Sequence, residues 1–472
     1  MIMKTLFKTL LATMIVVAGC QSIDLSMVHE IQNQDNAASL ISSSMKVTTD
    51  LVETYLKGFK GVVATRVSDV TVDPVMNGSD TVMYLVNYPE GGWELLSADK
   101  RIPTRLMVGE TGSMTLSQIE DHPGMSILLN DMRNQISAVK QSEQREPVTE
   151  KGVFWNHISS DIPETRSDDI LWNLYNTEVV YLDSTYVNHL IPTRWSQDVA
   201  YFKWYNRYVP FINNLKIDST SGRCVTGCVP VACAQVLNYL QPILGFTTHF
   251  SFLECRCNTY IAPGDTCVKY GNLDPVVSTH KNNSEYWEYI RKERGTIEEQ
   301  EKATATLMAF LGQKLGATYK YVLRDTTMTR LTPAPFTKVD SVLFAEYDIN
   351  SIYAGYNVDI VRNQILEESL PVIVAAPQTV KGNGHCWIVD GYCYTETAIN
   401  YHYIGFEQPI ASEPIYKTVQ VVGEKEEYFQ MNWGWSGIGD DNVYYIDSSN
   451  WSINGSKFNM NLASMVYGFS NY

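Results

Sequence analysis

Residues 226–240 read TGCVPVACAQVLNYL, and this stretch decides the reading of the chain. Gly227 precedes Cys228, and Pro230 stands where the first turn of a helix tolerates a missing N–H. Val231, Ala234, Gln235, Val236, Leu237 and Leu240 continue as a helix with a broad apolar face. A thiol at a helix start feels the positive end of the macrodipole, which favours the thiolate, the form that attacks a carbonyl carbon. Cys233, five residues on and inside the helix, reads as a small buried hydrophobe.

Two later stretches supply partners: GNGHCWIVDGY at 382–392 and MNWGWSG at 431–437. His385 follows a Gly-Asn-Gly loop and, paired with an upstream cysteine, suits a general base and acid. Cysteine, histidine, asparagine is the chain order of papain-type nucleophilic catalysis, and 385 − 228 = 157 residues lies near the roughly 130–150 of such enzymes. The Asn432 side-chain oxygen is suited to accept the imidazole N–H and fix its tautomer. Trp433 is placed to cover that bond. Gln197, in Arg194-Trp195-Ser196-Gln197, offers an amide N–H to an oxyanion beside the backbone N–H of Cys228.

Composition sets the context. The chain has 472 residues, 44% hydrophobic and 19% charged, which suits two or three folded domains. A net charge of −16 lacks the basic footprint of nucleic-acid binding. Lys4 and Lys8 precede a short apolar run, Leu10 to Val17, that ends in Val17-Ala18-Gly19-Cys20. This resembles the signal and lipobox of bacterial lipoproteins, so residues 1–20 are expected to be a signal and Cys20 the lipidated residue. The expectation is an exported protein held at the bacterial outer membrane or cell surface through that lipid. Nine cysteines are present. Export permits disulfides, for which the loop-like run of Cys255, Cys257 and Cys267 is the natural place. The spacings match no common zinc pattern, and no metal or organic cofactor is expected.

Residues 24–145 read as a small α+β unit. Val82–Asn87 and Trp93–Ser97 are strands around a Pro-Glu-Gly-Gly turn, and Arg105–Val108 adds a third. Met125, Leu128, Leu129, Met132 and Ile136 share one helix face. Polar residues 146–175 read as an exposed linker. The part from 176 to 472 holds the candidate chemistry. There Thr296 and Glu299 cap a helix to Leu315, and 358–368 is a second helix. Pro371–Ala376 is a buried strand. His385–Tyr392 is another, with His385, Trp387 and Val389 on one face and Cys386, Ile388 and Asp390 on the other. Tyr428–Asn432 and Asn442–Ile446 are further strands.

The blocks WSQ, TGCVPVACAQVLNYL, GNGHCWIVDGY and MNWGWSG resemble, in order, the signature blocks of the streptopain family of papain-like cysteine peptidases. The resemblance spans about residues 185–472. It implies a two-lobed papain-like catalytic domain, a helical lobe plus an antiparallel β lobe. It also implies Cys228 as nucleophile, His385 as base and acid, Asn432 as orienting residue, Trp433 as its cover and Gln197 as oxyanion donor. YLVNYPEGGWELLSADKRIPTRLMVGE resembles the family's amino-terminal inhibitory prodomain, which implies a zymogen. Pro230, where the family usually has alanine, departs from the pattern, as does Tyr205-Asn206, set nine residues beyond Gln197. The stretches 243–270 and 321–327 depart as well. These differences bear on substrate preference.

The leading expectation is an exported cysteine endopeptidase acting on protein or peptide substrates, restrained by its own prodomain. Two alternatives remain at this stage. One is a cell-wall amidase or acyl transferase on the same Cys-His plan; the other is a surface-binding lipoprotein without catalysis. The first is told apart by comparing protein with murein peptides as substrates, the second by labelling Cys228 with a thiol electrophile.

Overall fold

The computed structural model describes residues 45–59, 69–142, 144–149, 155, 166–167, 170–200, 203–209, 224–247, 251–255, 266–267, 273–277, 284–293, 295–324, 327–376, 384–407, 413–437, 443–446, 448, 451–453, 456–457 and 462–467. Cys20 and the signal segment lie outside the described residues, as do Cys257 and the side chains of Cys255 and Cys267. The fold is a mix of helices and antiparallel sheet, as the sequence pattern implied. It divides into two compact units.

The first unit gathers residues up to Leu106, Ile136–Asp183 and Thr395–Glu426. Helix α1 (Thr49–Phe59) lays Leu51, Val52, Tyr55 and Leu56 against a meander of β1 (Thr71–Asn77), β2 (Asp80–Asn87) and β3 (Trp93–Ser97). Val86 faces Glu94 and Leu85 faces Leu95 across the β2–β3 pair. A buried carboxylate, Glu94, accepts from the hydroxyls of Tyr55 and Tyr88 at 3.2 and 3.1 Å and faces Arg105, which also binds Glu426. Those partners offset the cost of burying the charge.

Among the described residues of the stretch 146–175, two are enclosed where the composition led to the expectation of an exposed linker. Val148 and Trp155 are buried. The Trp155 indole donates to Ser97 Oγ at 2.8 Å and meets the Tyr55 ring at 5.7 Å. A polar run hides an anchoring residue because one tryptophan outweighs several polar neighbours in buried area. Strand β5 (Ile170–Val187) also begins inside the stretch read as linker.

The second unit gathers Met107–Gln135, Ser184–Tyr394 and Glu427–Tyr472. The end of β4 (Arg105–Gly109), α2 (Leu116–Asp121) and the first turns of α3 (Pro123–Gln141) group with the later chain. Helix α4 (Cys228–Leu244) packs against α5 (Ile297–Leu315), whose Thr296–Glu299 capping box is formed. Val231, Leu237 and Leu240 of α4 and Leu307, Phe310 and Leu311 of α5 share one apolar core. Beside them runs a sheet in the order β4, β10 (Val443–Ile446), β9 (Ile415–Asn432), β8 (His385–Glu407), β7 (Val372–Ala376), β11 (Ala463–Tyr467) and β6 (Ser351–Gly355). Of β8 and β9, residues 385–394 and 427–432 belong to this unit.

Strand β8 is longer than the stretch to Tyr392 read from the sequence. Its alternation is as read: Cys386 and Ile388 enter the apolar core, while the His385 and Trp387 rings stack 6.2 Å apart on the other face. No described helix is long and apolar enough to cross a membrane.

Removing the Trp155 anchor tests its weight. Trp155→Ala is expected to cost about 3–5 kcal/mol, the usual range for truncating a buried tryptophan. Denaturant unfolding of the full chain measures it, and a loss under about 1 kcal/mol would return this residue to a linker role.

Candidate active site

The nucleophile helix begins on a glycine for a steric reason. Gly227 has φ 98°, and a Cβ there would lie 2.8 Å from the Thr332 carbonyl oxygen. No L side chain fits both constraints. Cys228 is then the first residue of α4, partly buried, with the backbone N–H of Cys386 near enough to favour its thiolate. That contact sets the thiol beside the start of β8, where His385 lies.

His385 itself does not reach Cys228: no hydrogen bond joins the two side chains among the described residues. His385 Nε2 instead bonds the Trp433 carbonyl at 3.0 Å. A carbonyl only accepts, so Nε2 carries the proton. Burial pushes the imidazole pKa down to about 4, a shift the Trp433 carbonyl opposes and nearby His122 reinforces. Burial pushes the Cys228 thiol up, against backbone N–H groups that favour the thiolate. The helix-start effect expected from the sequence is therefore outweighed by desolvation. Near neutral pH the pair rests as thiol and imidazole.

Asn432 does not hold His385 either. Its Oδ1 accepts from Gln235 Nε2 at 3.0 Å and Gly434 N at 3.3 Å, and its Nδ2 donates to the Thr193 carbonyl at 2.9 Å. Trp433 does lie against His385, the rings stacked at 6.4 Å, and its Nε1 donates to the Tyr445 hydroxyl at 3.1 Å. Gln197 is half-buried, and its backbone carbonyl accepts from the N–H of Thr226, two residues before the nucleophile, at 2.8 Å. Asn206, flagged in sequence as displaced, braces this loop through Asp198 Oδ1 at 2.8 Å and the Cys224 carbonyl at 3.0 Å.

Two features were not read from the sequence. The first is Gln235, whose position seven residues after Cys228 puts it on the same helix face, a signal available without the fold. The second is His122-Pro123-Gly124. Pro123 opens α3, and the His122 ring caps it, Nδ1 accepting from Gly124 N at 3.3 Å and Met125 N at 3.1 Å. The same ring meets Trp433 and Trp435 at 5.8 and 6.2 Å. A Cβ built on Gly124 would overlap the Trp433 indole, so only glycine permits this approach. Among the described residues no group of three or more His, Cys, Asp or Glu side chains is placed to hold a metal ion.

With this geometry in view, comparison with known proteins gives a clear assignment. The model of the Peptidase C10 family matches residues 195–445, just over half of the chain and all five residues read as the site. No curated protein sequence matches. Among solved structures, a Prevotella intermedia prointerpain A fragment with a cysteine-to-alanine change is 18% identical, with TM-score 0.47, covering 85% of this chain and 99% of that one. The active wild-type interpain A cysteine protease of the same organism is 19% identical, with TM-score 0.33, covering 60% and 96%. The family match, not these distant likenesses, makes the assignment: the chain belongs to the Peptidase C10 family and is a cysteine-type endopeptidase.

Proposed function

We propose that the protein is an exported cysteine endopeptidase made as a zymogen, with Cys228 as nucleophile and His385 as general base and acid. The observation that carries this reading is the seating of the Cys228 sulfur at the start of a helix and against the Cys386 backbone N–H, one residue from His385. His385 Nδ1 takes the Cys228 thiol proton as the sulfur attacks the scissile carbonyl, and the C–S bond forms while Gln197 and the Cys228 backbone N–H receive the oxyanion. His385 gives its proton to the departing amine. Water then adds to the thioester with His385 as base, releasing the acid and restoring the thiol. In the papain-like, two-lobed arrangement, the His385 N–H that now bonds the Trp433 carbonyl moves to Asn432 Oδ1.

The resting state suits a zymogen. Residues 24–145 include His122 and Gly124, which press on Trp433, and Trp433 in turn holds His385 through ring and carbonyl. As part of the same chain, this contact operates at high effective concentration until cleavage ends it. The substrates are proteins or peptides. Cys20 carries the lipid that holds the chain at the bacterial outer membrane or cell surface, a reading resting on Val17-Ala18-Gly19-Cys20.

Cys228→Ala is expected to abolish peptide hydrolysis with the fold intact by circular dichroism, and Cys233→Ala to keep most activity. The reverse outcome would move the nucleophile to Cys233.

For the zymogen, alkylation of Cys228 by iodoacetamide is expected to be at least about tenfold slower in the uncut chain than after removal of the amino-terminal part, since thiolate content sets the rate. Gly124→Ala in the uncut chain is expected to speed labelling toward the processed rate. Equal labelling of uncut and cut wild-type protein would make residues 24–145 an accessory domain.

Cys20→Ser is expected to release the protein from the membrane fraction of a bacterial host. Mass spectrometry of the wild type finding no acyl groups at Cys20 would remove the anchor.

A further inference from the structure

Gln235 sits at the point where three parts of the site meet. It lies on the nucleophile helix two turns after Cys228 and is fully buried. Its Oε1 accepts from the backbone N–H of Trp195 at 3.0 Å and from the Thr193 hydroxyl at 3.0 Å. Its Nε2 donates to Asn432 Oδ1 at 3.0 Å. Asn432 Nδ2 donates to the Thr193 carbonyl at 2.9 Å and lies 3.4 Å from Gln235 Oε1, so the two amides run side by side.

The backbone groups leave one orientation for each amide. An N–H from Trp195 can only donate, so Gln235 must present oxygen to it and nitrogen to Asn432. The Thr193 carbonyl can only accept, so Asn432 must present nitrogen to it and oxygen to Gln235. Flipping either amide would oppose donor to donor or acceptor to acceptor in a buried site, at the full cost of unsatisfied polar groups.

We infer that Gln235 is a positioning residue for catalysis: it fixes which end of the Asn432 amide is oxygen, the atom that accepts from His385 in the active state, and ties the Trp195-Ser196-Gln197 loop to the nucleophile helix. One side chain thereby sets the acceptor of the imidazole N–H and the loop carrying the oxyanion donor. The inference rests on the roles proposed above for His385 and Asn432. Asn432 Oδ1 is already oriented in the resting state, while His385 is held elsewhere. Activation therefore has to move the imidazole and not the asparagine.

The test is steady-state kinetics on the full chain, with active sites counted by an irreversible thiol electrophile. Gln235→Met, close in volume and without hydrogen bonds, is expected to lower kcat about tenfold with KM within about twofold, since orientation and not substrate binding is degraded. Asn432→Ala is expected to lose a similar factor. The double variant is expected to be no slower than Asn432→Ala, because a residue acting through another adds nothing once that partner is gone.

Gln235→Glu keeps both acceptor contacts but, as a carboxylate, cannot donate to Asn432 Oδ1. Its kcat relative to wild type is expected to fall at pH 8 and recover toward acid, where the buried carboxyl regains a donor proton. A merely structural role would leave that ratio flat. The inference is overturned by unchanged kcat in Gln235→Met, by losses that multiply in the double variant, or by a flat ratio in Gln235→Glu. The last measurement decides if Gln235→Met fails to fold. Normal kcat in Asn432→Ala would sink the role of Asn432 itself, an outcome distinct from normal Gln235 variants beside a slow Asn432→Ala.

Discussion

The burial of the Trp433 indole is the constraint on which the rest of the site depends. The side chain is wholly enclosed, with Trp387 at 5.1 Å, Tyr445 at 5.4 Å, His385 at 6.4 Å and the backbone of Gly124 against its face. So large an aromatic surface cannot shift without reopening its whole surround, because interiors are close-packed and move between discrete arrangements. Its carbonyl captures His385, and its flanking residue Asn432 is fixed by Gln235 and Thr193. The position of one indole and its backbone therefore sets what His385 bonds to.

That arrangement separates two properties that a linear reading merges. A thiol at a helix start suggests ready ionisation, yet Cys228 is pushed toward the neutral form by desolvation, and His385 likewise. A thiolate–imidazolium pair is stable only when each charge has the other as partner. Held apart, each group stays neutral, since an isolated buried charge is far costlier than a lost hydrogen bond. In the proposed zymogen, uncoupling the pair is thus a low-cost way to hold the residues inactive, with the Trp433 carbonyl as the alternative partner of His385.

The amide pair beneath the site works in the other direction. Gln235 and Asn432 are fully buried polar groups whose orientation is set by backbone atoms of Thr193 and Trp195. Because those backbone atoms cannot exchange donor for acceptor, the network has a single satisfied state. It supplies a fixed reference for the movement of His385 that the proposed activation requires.

Much of this was legible in the sequence. The alternation in His385–Asp390, the capping box at Thr296 and Glu299, the three strands between Val82 and Val108 and the Cys228 helix all reflect local rules: side-chain period, caps and turns. Such rules act over a few residues, so sequence spacing encodes them. What it did not reveal depends on contacts between residues far apart in the chain. Trp155 looked like part of a polar linker and is a core anchor. His122 and Gly124 carried no signal in the sequence and press on Trp433, some three hundred residues away. The sequence by itself determined which residue types are present to do thiol chemistry and on which elements they sit. Only the tertiary structure decided that His385 bonds a carbonyl and that Gln235 orients Asn432, because hydrogen-bond partners and burial are set by packing across the fold and not by neighbours along the chain.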